Sequence, residues 1–288
     1  MKRFTAIVTG GPGTGKTTMA LTAPFPIHVM DVDRKMHLLA ADLTNVTYNQ
    51  YDPTLTGRHK ISIVSAPDVH KAEAGFDPQA DPKVYQQVVN EINKYIDMKE
   101  QGIPLPFETL VIDTVSRLGE HLEVLTKKLQ RHATMTITDW KTYMGNWLEF
   151  LNGLISLSSY KPEEDPRCSC NIIVTSHETT YVDEITKEVR VLPAISGQTS
   201  ERIAGFFQES YYLIPHIENN RMKVNVMVHA DRKYRLTSQL SDFVIIPANF
   251  HRILDGEFSG ECGKKWEEEQ QRKGVQNTAI PSSALGKM

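Results

Sequence analysis

Cysteine is scarce: Cys168, Cys170 and Cys262 are the three in 288 residues. That is too few for a disulfide framework, so a reducing cytoplasm is the expected compartment. Long apolar runs are missing too, none approaching the roughly 18 to 20 residues that span a bilayer, and the start MKRFTAIVTGG has no apolar stretch followed by a small-residue cleavage site. A soluble chain with no membrane partner is expected. Charge of one sign is also lacking: the formal net charge is -3, so any surface for nucleic acid must be a local cluster rather than a global cationic field. With 17 glycines and 15 prolines the chain is not collagen-like or low in complexity, and 40% apolar residues suffice for a core.

What is present reads as strands alternating with helices. Phe4, Ala6, Ile7 and Val8 form a short run of β-formers, followed by a glycine cluster and a helix start at Lys16 that Pro24 and Pro26 bring to an end. Ile27 to Met30 is a second strand running into Asp31-Val32-Asp33, and Ile61 to Ala66 is another. Val84, Val88, Ile92, Tyr95 and Ile96 recur at helical spacing behind a capping Asp81. Leu110-Val111-Ile112 is a continuous apolar run, as expected of a strand buried on both faces, and it delivers Asp113. Helical patterns cover Leu118 to Leu129 and Trp140 to Leu157. Asn171 to Thr175 reads as a strand, 179–183 and 188–192 as hairpin arms, and Lys223 to His229 as a further strand, with Phe243 to Ile246 a strand or a loop. The expectation is an α/β fold with a mainly parallel central sheet flanked by helices and antiparallel strands added late. One domain over 1–255 precedes a charged, flexible tail over 256–288, with one short helix around Trp266 to Arg272.

The specific signal lies between the first strand and the first helix. Gly10-Gly11-Pro12-Gly13-Thr14-Gly15-Lys16-Thr17, followed by Thr18, fits G-x-x-x-x-G-K-S/T in the context that this motif requires. Average composition yields the bare pattern in roughly one chain in a hundred of this length, and the strand–loop–helix setting lowers that further. Glycines let successive backbone N–H groups converge on phosphate oxygens, Lys16 bridges the outer phosphates, and the Thr17 hydroxyl ligates Mg²⁺. ATP and Mg²⁺ are the expected ligands. A carboxylate at the end of another strand must complete the metal shell, and Asp113 supplies it.

In this order the motifs resemble those of RecA-like ATPases, and more narrowly those of phage-encoded, core-only RecA-like proteins of the recombination and annealing type. Val111-Ile112-Asp113-Thr114-Val115 is similar to their second nucleotide motif. The resemblance implies that Asp33, in Asp31-Val32-Asp33, takes the place of the glutamate that activates the attacking water, one methylene shorter; helix capping by Asp31 and Asp33 is the other reading. It implies that His177, after Ile172-Ile173-Val174-Thr175-Ser176, senses the γ-phosphate. It implies too that Arg232, Lys233 or Arg235 enters a neighbouring subunit's ATP, which requires a homo-oligomer, ring or filament. Single-stranded DNA would be met by loops at 131–140 and 195–202, although Trp140 fits a helix core equally well.

The implied function is a Mg-ATP-dependent ATPase acting on single-stranded DNA in phage recombination, annealing or repair. A small-molecule phosphotransferase of nucleotide-kinase type, and a DNA-binding module with ATP as a structural ligand, stay open. Glu267-Glu268-Glu269 near Trp266 offers a docking point for a partner such as a single-strand-binding protein. Cys168, Cys170, His177 and Cys262 could be combined into a zinc site, but their spacing matches no common finger.

Overall fold

A computed structural model describes residues 3–33, 61–65, 83–159, 163–183, 187–218, 220–229, 234 and 236–272. The strands are β1 (Thr5–Thr9), β2 (Ile27–Asp31), β3 (Ile61–Ser65), β4 (Thr109–Asp113), β5 (Asn171–Ser176), β6 (Glu178–Val182), β7 (Val189–Pro193), β8 (Glu209–Glu218), β9 (Arg221–Met227) and β10 (Ile245–Pro247). The α-helices are α1 (Lys16–Ala20), α2 (Lys83–Glu100), α3 (Val115–Gln130), α4 (Ile137–Ser156), α5 (Thr199–Arg202), α6 (Phe250–Leu254) and α7 (Gly260–Arg272). Among the described residues no helix is long and apolar enough to cross a membrane.

Among the described residues, eight strands form one sheet in the order β10-β9-β8-β1-β5-β4-β2-β3, and β6 and β7 form a separate antiparallel pair. The pairs from β8 through β3 are parallel, whereas β8–β9 and β9–β10 are antiparallel. This is the expected α/β architecture, a mainly parallel sheet with antiparallel strands added late: β5 separates the P-loop strand β1 from the aspartate-bearing strand β4. All five residues of β1, β2 and β4, and all six of β5, are buried, so side chains alternate between two apolar faces rather than between core and solvent. Ile7, Leu110, Ile112, Ile172 and Val174 face α2, α3 and α4, with Tyr143, Trp147 and Leu154 in the same cluster. Ala6, Val8, Val29, Val111 and Ile173 face the other way, toward Met19, Phe250, Phe258 and Trp266.

Parallel strands align their carboxyl ends along one edge, where loops can carry a site. Asp31 is in register with Asp113, and Thr9 is in register with both Ser176 and Tyr212. The two long helices after β4 start three residues earlier than apolar spacing suggests, because threonine caps extend them. The Thr114 side chain accepts from Arg117 N–H, and Thr136 forms a capping box with Asp139. Strand β8 escaped the sequence reading altogether; it carries Pro215, a residue rarely found inside a strand. In the charge-rich segment 256–288, α7 buries Trp266 against Phe243 and Phe258, with ring centroids 4.9 and 5.2 Å away.

Candidate functional site: a P-loop cleft

Strand β1 ends at Thr9, and the chain then turns tightly into α1. Gly13 and Gly15 adopt φ of 71° and 89°, in the left-handed region that costs any other residue about 1–2 kcal/mol. The loop is pinned at its start by the Gly10 N–H, which donates to the Ser176 carbonyl at 3.2 Å. It is cinched internally by Thr14 Oγ1, which donates to the Gly11 carbonyl at 2.9 Å. Lys16 is buried, and its Nζ donates to the carbonyls of Gly10 and Gly11 at 2.9 and 2.7 Å. Because α1 has only five residues, its dipole is small, and the loop's own N–H groups supply most of any anion-binding field.

Strand β4 brings Asp113 to the same place. Thr17 Oγ1 donates to Asp113 Oδ2 at 2.7 Å, and the Thr175 hydroxyl donates to Oδ1. Burial pushes the Asp113 carboxyl above the usual carboxylate range; the two threonine hydroxyls and Lys16 pull it down, and Asp33 pushes it up. The Asp113 carbonyl accepts the N–H groups of Val32 and Asp33 at 2.7 and 3.1 Å, which fixes the turn after β2 beside β4. His177, after β5, completes the set: its Nε2 lies 3.5 Å from Asp33 Oδ2, and its N–H donates to Ser116 Oγ at 2.9 Å.

These residues line one open cleft of about 290 Å³, walled by Pro12, Gly13, the stretch from Gly15 to Thr18, Asp33, Asp113, Thr114 and His177. The sequence-nominated P-loop, Asp33, Asp113 and His177 thus share a single concavity. The donor set suits a small hard cation, since Thr17 offers a hydroxyl and Asp113 and Asp33 offer carboxylates. The positive-φ loop and the Lys16 ammonium suit the phosphates that such a cation accompanies.

Other nominated residues fall elsewhere. Arg232, Lys233 and Arg235 lie outside the described residues. The two nominated loops are adjacent, since a Cβ on Gly197 would stand 3.5 Å from the Trp140 ring, and the second also meets α3, where Ser196 Oγ donates to Glu123 Oε2 at 3.2 Å. Trp140 is half-buried and packs edge-on to Tyr143 at 5.4 Å, so it belongs to the helix core. Lys128 and Arg131 are exposed at the end of α3, and His132 Nδ1 is 2.7 Å from Asp139 Oδ2. The zinc combination finds no support. Cys168 and Cys170 are buried, burial pushes the Cys170 thiol up to about 12, and among the described residues no group of three or more His, Cys, Asp or Glu could hold a metal. Motif reading missed Thr175, which clamps Asp113, and Ser116, which holds His177. A hydroxyl beside a strand-end aspartate or at a helix start was the available signal.

Residues 2–232 match a family model described as an AAA domain. No curated protein sequence matches the chain. Among solved structures, a KaiC-like protein of the hyperthermophilic archaeon Pyrococcus horikoshii OT3 is similar at 16% identity and a TM-score of 0.36, over 81% of this chain and 82% of that one. The flagellar accessory protein FlaH of Methanocaldococcus jannaschii is similar at 10% identity and a TM-score of 0.37, over 81% and 79%. Neither likeness is close enough to carry function. The family match spans most of the chain, including the whole P-loop cleft, and on that ground the chain belongs to the AAA domain family.

Proposed function

We propose that the protein is a Mg-ATP-dependent RecA-like ATPase that acts on single-stranded DNA as a homo-oligomer, in phage recombination, annealing or repair. The convergence of Lys16, Thr17, Asp33, Asp113 and His177 on one cleft carries this reading. Lys16 neutralises charge on the outer phosphates. Thr17 and Asp113 would hold Mg²⁺, which when bound would offset the charge that develops on the transferring phosphoryl group. Asp33, held at the Asp113 carbonyl by its own N–H, orients the attacking water and takes its proton at a carboxylate oxygen. His177 stands between that carboxylate and the β6–β7 hairpin: its carbonyl accepts the Ala194 N–H at 2.7 Å. A γ-phosphate felt at the imidazole would therefore be felt at the hairpin.

The adjacency of loops 131–140 and 195–202, with Lys128 and Arg131 exposed beside them, supports a local DNA surface on a chain of net charge -3. Arg232, Lys233 and Arg235 are the candidates for the cation given in trans, and the acidic run at 267–269 for docking a single-strand-binding protein. The test is phosphate release from Mg-ATP with and without single-stranded oligonucleotide. Stimulation by the oligonucleotide supports the reading. Transfer to a nucleoside monophosphate without DNA would instead favour a phosphotransferase, and tight DNA binding with no turnover would favour a module with structural ATP.

A further inference from the structure

Glu178, the residue after the candidate sensor, makes a contact that the hydrolytic scheme does not use. It opens β6 and turns its carboxylate toward the P-loop: a Cβ on Gly11 would stand 3.3 Å from Glu178 Oε1. The other oxygen, Oε2, accepts the Tyr212 hydroxyl. Tyr212 belongs to β8, in register with the last residue of β1. Its ring centroid is 4.3 Å from that of Tyr234, which bridges to Val191 of β7. One carboxylate thus stands between the P-loop, the hairpin and β8. Burial, then the bonds to Glu178 and Tyr234, push the Tyr212 phenol upward, so it stays a donor at any ordinary pH.

Glu178 does not line the cleft. Its leverage is on Gly11, whose carbonyl accepts both Lys16 Nζ at 2.7 Å and Thr14 Oγ1 at 2.9 Å. A displacement of Gly11 displaces the Lys16 ammonium with it. We propose that Glu178, held by Tyr212 and backed by Tyr234, is a positioning residue that fixes Gly11 and through it the head of Lys16, presetting the loop for triphosphate. This role rests on the nucleotide reading of the cleft.

The test uses the full chain carrying Tyr212→Phe, Glu178→Ala or Glu178→Gln. Affinity for a fluorescent ATP analogue with Mg²⁺, KM and kcat for ATP, and amide hydrogen exchange of residues 10–16 without nucleotide are measured for each. Loss of a hydrogen bond to a charged group should raise Kd and KM about five- to tenfold in Tyr212→Phe and Glu178→Ala, with a much smaller fall in kcat and faster exchange confined to the loop. Glu178→Gln, whose carbonyl still accepts from Tyr212, should recover to within about twofold. Parental affinity and exchange in Tyr212→Phe would overturn the brace, as would a Glu178→Gln as damaging as Glu178→Ala, or exchange raised throughout the protein. An unaltered protein that binds no nucleotide would instead overturn the reading on which this role rests.

Discussion

His177 Nε2 stands 3.5 Å from Asp33 Oδ2, across a cleft whose other walls are the P-loop, Asp113 and Thr114. The pair joins the candidate base on the β2 side of the sheet to the candidate sensor at the end of β5. The Asp33 side chain, one methylene shorter than glutamate, is flanked by a group able to hold its carboxylate in place. Asp33→Asn should lower kcat by about 10²-fold or more, the usual worth of a general base. His177→Ala should cost about tenfold, and the double variant should be little worse than Asp33→Asn alone, because the imidazole acts partly through the carboxylate. A double-mutant cycle on kcat reads this directly; additive losses would separate the two residues.

Asp113 and Thr17 form a prediction about metal rather than turnover. Their 2.7 Å hydrogen bond puts a hydroxyl and a buried carboxylate on the same spot. Asp113→Asn should weaken Mg-ATP binding by about tenfold or more while leaving metal-free ATP affinity nearly as it was, since the loss is in the metal shell. Calorimetric titration of ATP with Mg²⁺ and with chelator checks the split.

The loop glycines should respond to alanine for different reasons. At Gly13 a Cβ meets nothing within 4 Å, so Gly13→Ala suffers only from its φ of 71°, about 1 kcal/mol of stability. At Gly10 a Cβ would lie 2.8 Å from Thr14 Oγ1 and 3.3 Å from Leu213 Cβ. Gly10→Ala should therefore push Thr14 off the Gly11 carbonyl and lower nucleotide affinity more than Gly13→Ala does. Thermal melts and nucleotide titrations of the two variants give the comparison.

His28 makes stability depend on pH. It is buried in β2, stacked on Phe107, with Nε2 3.1 Å from the Tyr95 hydroxyl, which itself bonds Glu91. Burial lowers its pKa from 6.5 to about 4, against a smaller upward pull from Glu91 and a further downward push from Lys94. The unfolded chain therefore binds more protons between those values. The contribution is fully present above about pH 6.5 and falls by about 3 kcal/mol at most as pH drops toward 4. Urea unfolding of the parent and of His28→Gln at pH 7 and pH 4.5 should show a smaller pH loss in the variant.

The P-loop was legible because its chemistry is local: glycines, lysine and threonine at fixed spacing between a strand and a helix. β4 and β5 were legible for a related reason, since burial on both faces makes them continuous apolar runs. The starts of α3 and α4 were not, because Thr114 and Thr136 extend them beyond their apolar repeat. β8 was missed although Tyr211 to Ile214 is a run of β-formers, because Pro215 behind it is a residue rarely found inside a strand. That omission hid the role of Glu178 as well, because its bond from Tyr212 exists only once β8 pairs with β1, an association between residues about 200 apart in the chain. Placing His177 needed only the order of motifs, whereas its distance from Asp33 needed the sheet.

The measurement that bears most directly on the account is steady-state phosphate release from Mg-ATP by the intact protein and by Lys16→Ala, each with saturating single-stranded oligonucleotide and each shown by melting to be folded. DNA-stimulated turnover is expected in the parent, with a loss of about 10²-fold or more in Lys16→Ala, the scale expected when a charge aimed at the phosphoryl group is removed. Equal turnover in the two proteins would contradict it.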